Sequence, residues 1–145
     1  MLDELETLNR FVNAQNPVYQ RVVQELKHGH KETHWMWFVF PQIAGLGHSA
    51  TATFYAIHDA REAEAYLHHP SLGERLLECT RIVLSVQGKS ANEIFGGMDA
   101  MKFRSSMTLF KSIAGSESIF QEAIDTYYSG EPDRKTLEIL FRDRA

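Results

Sequence analysis

Three stretches of the sequence concentrate side chains able to do chemistry. The first is His30-Lys31-Glu32-Thr33-His34. Histidines four apart share one face of a helix and also of a strand, which is the spacing of joint metal ligation. The metalloprotease pattern needs its glutamate directly after the first histidine, however, and here Glu32 stands two residues on. His28, His48, His58 and the pair His68-His69 add no convincing third ligand, so no metal and no cofactor is expected. His34 is left as a proton donor or acceptor, or as a polar lid on the aromatic run behind it.

That run is Trp35, Trp37, Phe38 and Phe40, followed by Pro41-Gln42 and the glycine-rich Gly45-Leu46-Gly47-His48-Ser49. Each aromatic ring brings about 150–250 Å² of surface to bury, so a place in the core is the first expectation. An indole beside a glycine-rich turn has a second use: it can stack on a planar ligand while the glycines let the backbone approach. Trp35 or Trp37 would be the platform, with Gln42 as a polar contact.

The third stretch leads from Gly88-Lys89-Ser90 through Glu93 and Gly96-Gly97 to Asp99, Lys102, Ser105 and Ser106. A diglycine ahead of a helix with Lys102 near its start is a sound anion site, because free amides and the helix dipole favour negative charge. Asp99, the expected N-cap, competes for the same amides. At about 100° per residue, Phe103, Met107, Phe110 and Ala114 form a core stripe, while Lys102, Ser105, Ser106 and Leu109 form a different one. Two small hydroxyls beside a lysine let a ligand or another helix come close. The plainer alternative pairs Lys102 or Arg104 with an internal carboxylate. Glu93 and Asp99 are the carboxylates nearest in sequence to this stretch. No Ser-His-Asp order stands out, and Cys79, on an apolar stripe, is expected to be an inert core thiol.

The elements that must position these groups are helical. Leu5, Leu8 and Val12, with Phe11 beside them, predict a short amphipathic helix reaching Gln15. Asn16-Pro17 supplies an N-cap and a first-turn proline, so Val18, Val22 and Leu26 predict a second helix ended by Gly29. Capping-box spacing marks three later starts: Asp59 with Glu62, Ser71 with Glu74, and Ser90 with Glu93. From Ser71, Leu72, Leu76, Cys79, Val83 and Val86 make one face that stops at Gly88. Ser116 to Ser129 reads as a helix closed by Gly130, and Asp133 caps a last one carrying Leu137, Leu140 and Phe141. Trp35 to Phe40 has β-propensity but no partner strand, so a buried irregular or helical turn is expected there.

Length and composition set the frame. A chain of 145 residues can bury one core without staples, and 43% apolar with 23% charged residues is ordinary globular usage. A net charge of −4 provides no global field for phosphate backbones or anionic lipid, so nucleic acid is a disfavoured partner. One cysteine excludes an internal disulfide, and the acidic start with no long apolar window fits neither a signal peptide nor a membrane span. A soluble cytoplasmic protein is expected: mainly α, a compact single helical domain over residues 1–145 with about six to eight helices and no substantial β-sheet.

The string HWMWFVFPQ, the following GLG and Ser49, Tyr55-Ala56-Ile57, Tyr66-Leu67 with His69-Pro70, Gly88-Lys89-Ser90, Ile94-Phe95-Gly96 and the run from Lys102 to Phe110 carry a resemblance. Across nearly the whole chain the sequence resembles the uncharacterised bacterial domain-of-unknown-function family 1810. The resemblance implies a compact, mainly helical fold with no established activity. Members are sometimes labelled calpastatin; that name belongs to a disordered protease inhibitor, whereas this composition is globular. A looser likeness of layout, an aromatic motif and a later lysine-bearing helix, connects it with a helical family that handles NAD and ADP-ribose and cleaves N-glycosidic bonds.

The expected function is therefore binding of a nucleotide-like or ADP-ribose-like small molecule, with N-glycosidic hydrolysis as its catalytic extension. His34, Glu93 and Asp99 would be catalytic, and Trp35, Trp37, Gln42, Lys102, Ser105 and Ser106 would hold the ligand. The rival is a non-catalytic interaction module that docks a protein through its aromatic segment or serine-rich helix face. A concave pocket favours the first, a flat exposed patch the second.

Overall fold

A computed structural model describes residues 4–144. Ten helices follow one another there: α1 (Glu4–Gln15), α2 (Tyr19–Lys27), α3 (Met36–Val39), α4 (Ala50–Tyr55), α5 (Ala60–His68), α6 (Leu72–Ser85), α7 (Ala91–Phe95), α8 (Gly97–Ala114), α9 (Ile119–Tyr128) and α10 (Arg134–Arg144). The fold is mainly helical, as expected, but the count exceeds six to eight. The excess over eight comes from α3 and α4, which have four and six residues, too few turns to leave a periodic stripe in the sequence. Among the described residues no sheet forms. An isolated parallel bridge between Ile43 and Ile57 is the one β feature, and the aromatic string is a single helical turn.

Helix starts follow local chemistry where nothing competes with it. Asp59 accepts the Glu62 amide, and Ser90 and Glu93 form the full reciprocal capping box. Ser71 does not cap. His69 Nδ1 takes the amides of Ser71 and Leu72 instead, at 3.1 and 3.2 Å, so a residue two positions upstream has displaced the expected box. Asn16-Pro17 lies in a turn rather than at a helix start, since α2 begins at Tyr19. Likewise α9 is capped by Ser118, not Ser116, and α8 by Gly96, not Asp99. Asp133 does start α10, accepting the Thr136 amide at 3.1 Å.

At the centre stands α8, packed against α9, α7, α5, α10 and α3. Every residue from Ser105 to Phe110 is buried, so the middle of this helix has no solvent face. The second stripe therefore exists but is enclosed along its middle: Leu109 is as inaccessible as Phe103, and Ser105 is 5% exposed. Phe103 stacks on Phe95 at 4.8 Å between ring centres and meets Phe40 edge-on at 5.0 Å. These rings join the aromatic turn, α7 and α8 into one apolar cluster.

Candidate cleft between the 31–37 segment and helix α8

The site is built on a buried carboxylate. Glu25, on α2, accepts the amides of Glu32 and Thr33 at 2.7 and 3.0 Å, the Thr33 hydroxyl at 2.6 Å and the Trp35 indole N–H at 2.9 Å. Burial alone pushes the Glu25 carboxyl up, but these donors together outweigh it and bring it down to about 2. One ionised side chain thus satisfies the backbone of a segment with no regular structure. The Lys31 amide adds an anchor by donating to the Ile94 carbonyl at 2.8 Å.

Thus held, the segment projects Lys31 toward α8. Lys31 Nζ lies 2.8 Å from Asp99 Oδ2 and donates to the Thr33 carbonyl at 2.6 Å. Lys102, one turn along α8, reaches the other oxygen of Asp99 at 3.5 Å and sits 4.8 Å from the centre of the Trp37 ring. Two lysines therefore share one carboxylate, leaving one positive charge over.

A cavity of about 280 Å³ opens beside them, bordered by Lys31, His34, Trp37, Asp99, Lys102 and the Gly96-Gly97 pair. The first turn of α8 forms its wall, where the amides of any helix lack intrahelical partners and the dipole is positive. Gly96 makes this join possible. Its φ of +86° and ψ of 160° are open to glycine alone, and they let α8 start immediately after α7.

A second cavity, of about 410 Å³, adjoins the first; Met98 and Lys102 border both. Gln42, Leu46, Met101, Ser105 and Lys135 also line it. Behind Trp37 and Gln42 there is only a hollow of about 10 Å³, no more than a water's worth of room.

Of the residues singled out from sequence, His34, Trp37, Asp99 and Lys102 come together at the first cavity, and Gln42, Lys102 and Ser105 at the second. Three do not join them. Trp35 is buried with its indole N–H spent on Glu25, so it has no face to offer a ligand. Ser106 is fully buried, borders neither cavity, and its hydroxyl has no hydrogen-bond partner among the described residues; nothing in the structure explains that. Glu93 is an exposed cap whose carboxyl is held down by its bond to the Ser90 amide, outside both cavities. With Trp35, Phe40, Ser105 and Ser106 all buried, neither the aromatic string nor the serine-rich stripe is an exposed docking face.

Sequence reasoning missed Lys31, Glu25 and the exposed pair Met98 and Met101. Lys31 was legible as a lysine between two histidines, but its partner lies on a distant helix. Elsewhere, burial pushes the Cys79 thiol up to about 12, so no thiolate is at hand. No cluster of three metal-ligating side chains exists among the described residues, and none of their helices is long and apolar enough to cross a membrane.

The chain belongs to the family described as "Protein of unknown function (DUF1810)", which matches residues 5–140. Its fold is shared by a solved structure, the conserved hypothetical protein Rv1873 from Mycobacterium tuberculosis. The two are 51% identical with a TM-score of 0.91, over 92% of this chain and 96% of that one. Among curated proteins none matches the chain.

Proposed function

We propose that the cleft between the 31–37 segment and α8 binds a small anionic molecule of nucleotide-like character. The observation that carries this reading is the arrangement around Asp99. Lys31 at 2.8 Å and Lys102 at 3.5 Å divide its two oxygens, so the longer contact is the one an incoming anion can draw away. Lys102 would then turn from Asp99 and Trp37 to the ligand, with the first amides of α8 as further donors. Trp37 provides a ring surface and His34, exposed at the rim, a proton donor or acceptor.

Binding is favoured over N-glycosidic hydrolysis by the same arrangement. An oxocarbenium-like state needs a carboxylate with charge to spare, and Asp99 already faces two ammonium groups. The rival interaction module loses ground because the surfaces it would use are buried.

The test is thermal denaturation and calorimetry with AMP, ADP-ribose and inorganic phosphate, on the wild type and Lys102→Ala. Ligand that binds only the folded state raises the melting temperature by mass action. The expected outcome is a concentration-dependent rise with the nucleotides that Lys102→Ala abolishes. No rise with any of the three, or an equal rise in the variant, overturns the reading. Release of a free base from either nucleotide would instead restore the hydrolytic role.

A further inference from the structure

We infer that the second cavity is the base subsite of the same cleft, so that the ligand is a nucleoside phosphate whose heterocycle lies against Met98 and Met101 rather than on Trp37. The inference rests on the reading above for the anionic end of the ligand and goes beyond it in placing the other end.

Size is the first argument. At about 280 Å³, the Lys31–Lys102 cavity falls at or below the small end of ligand pockets, which run from about 300 to 1,000 Å³. A whole nucleotide would have to fill it completely, whereas a phosphate and a sugar fit with room to spare. The neighbouring cavity of about 410 Å³ adjoins it, with Met98 and Lys102 in the walls of both. Lys102 stands between the two, so a molecule whose anion it holds has both spaces within reach.

Chemistry is the second argument. The apolar surfaces in this cavity are Leu46, Met98 and Met101, and the two methionines are 75% and 71% exposed on successive turns of α8. Thioether sulfurs pack well against the edges and faces of planar rings, and unbranched side chains adapt to them. Gln42 faces the same space, and among the described residues its side-chain amide makes no hydrogen bond within the protein. A free amide, with paired donor and acceptor, matches the edge of a heterocyclic base. Trp37 is the poorer platform: the hollow behind its ring has no room for a base, and its other face borders the cavity that takes the lysine-held anion.

The experiment measures binding of ribose 5-phosphate and of AMP, GMP, CMP and UMP by calorimetry to the wild type, Met101→Glu, Gln42→Ala and Trp37→Ala. Met101 is exposed, so its replacement leaves the fold intact, which circular dichroism verifies. The expected result is that Met101→Glu weakens the preferred nucleotide about tenfold or more while ribose 5-phosphate is unaffected, and that Gln42→Ala flattens the preference among bases. If Met101→Glu leaves nucleotide affinity unchanged, or only Trp37→Ala lowers it, the base subsite is wrong while the anion site stands. If neither ribose 5-phosphate nor any nucleotide binds the wild type, both readings fall together.

Discussion

Lys31 and Asp99 are joined at 2.8 Å across the molecule, the lysine side chain only 6% exposed, so an irregular segment and the central helix are pinned at one point. Removing one partner of an enclosed ion pair strands the other. Lys31→Met should cost about 1–3 kcal/mol, moderated because Asp99 keeps Lys102. Lys102→Ala should cost under about 1 kcal/mol, since its contact is longer and more open. Urea denaturation of both variants measures the difference; equal costs would mean that Lys31 is not the structural member of the pair.

Acid should loosen the 31–37 segment first. The Glu25 carboxyl is held at about 2, below its ordinary 4.5, so the ionised form favours the folded state. Its contribution, roughly 3 kcal/mol, is complete above the unfolded value and is lost as pH falls from about 4.5 toward 2. Glu25→Gln should be destabilised at neutral pH and should show a flatter stability profile across that window. A variant whose acid limb parallels the wild type would assign acid sensitivity elsewhere.

Ser106 offers a gain. Its buried hydroxyl has no partner among the described residues, whereas Ser105 Oγ donates to the Met101 carbonyl at 3.1 Å. Ser106→Ala should raise stability by up to about 1 kcal/mol, because an unsatisfied polar group is removed at little loss of packing. Differential scanning calorimetry would register it as a higher melting temperature; a drop of similar size would reveal a hidden partner for the hydroxyl.

The two glycines before α8 should respond oppositely. Gly96 sits at φ +86°, so Gly96→Ala should cost about 1–3 kcal/mol although its Cβ would meet nothing. Gly97, in the first turn of the helix with open space around it, should accept alanine without loss of stability. Its methyl group would project at the cavity rim, so any penalty should appear in ligand affinity. Comparable destabilisation of both would refute the strained join.

What the sequence revealed and what it hid divide along the distance of the interactions. Ser90 and Glu93 form their box because both partners are local. Ser71 fails at the same spacing because His69 reaches the amides first, a competition that motif spacing does not encode. Helix α4 is invisible as a separate element because periodicity needs more turns than it has, whereas α7 follows the Ser90 cap and α3 falls where a helical turn is expected. His34, Trp37, Asp99 and Lys102 were recognisable as unusual, and they share a cavity. Glu25 and Lys31 were not, since a carboxylate on an amphipathic helix and a lysine in a polar stretch look like surface until the fold encloses them. Trp35 and Trp37, two residues apart, could not be separated by type; only the indole bond to Glu25 tells which one is inside.

The chain has two tryptophans, and the fold has put them in opposite optical situations. Trp35 is sealed from solvent and tied to Glu25, a fixed emitter in a dry setting. Trp37 stands at the cleft under the Lys102 ammonium, where anything that draws the lysine away alters its emission. Intrinsic fluorescence therefore carries its own internal reference: acrylamide should quench one component and spare the other, and ligand entry should move only the quenchable one.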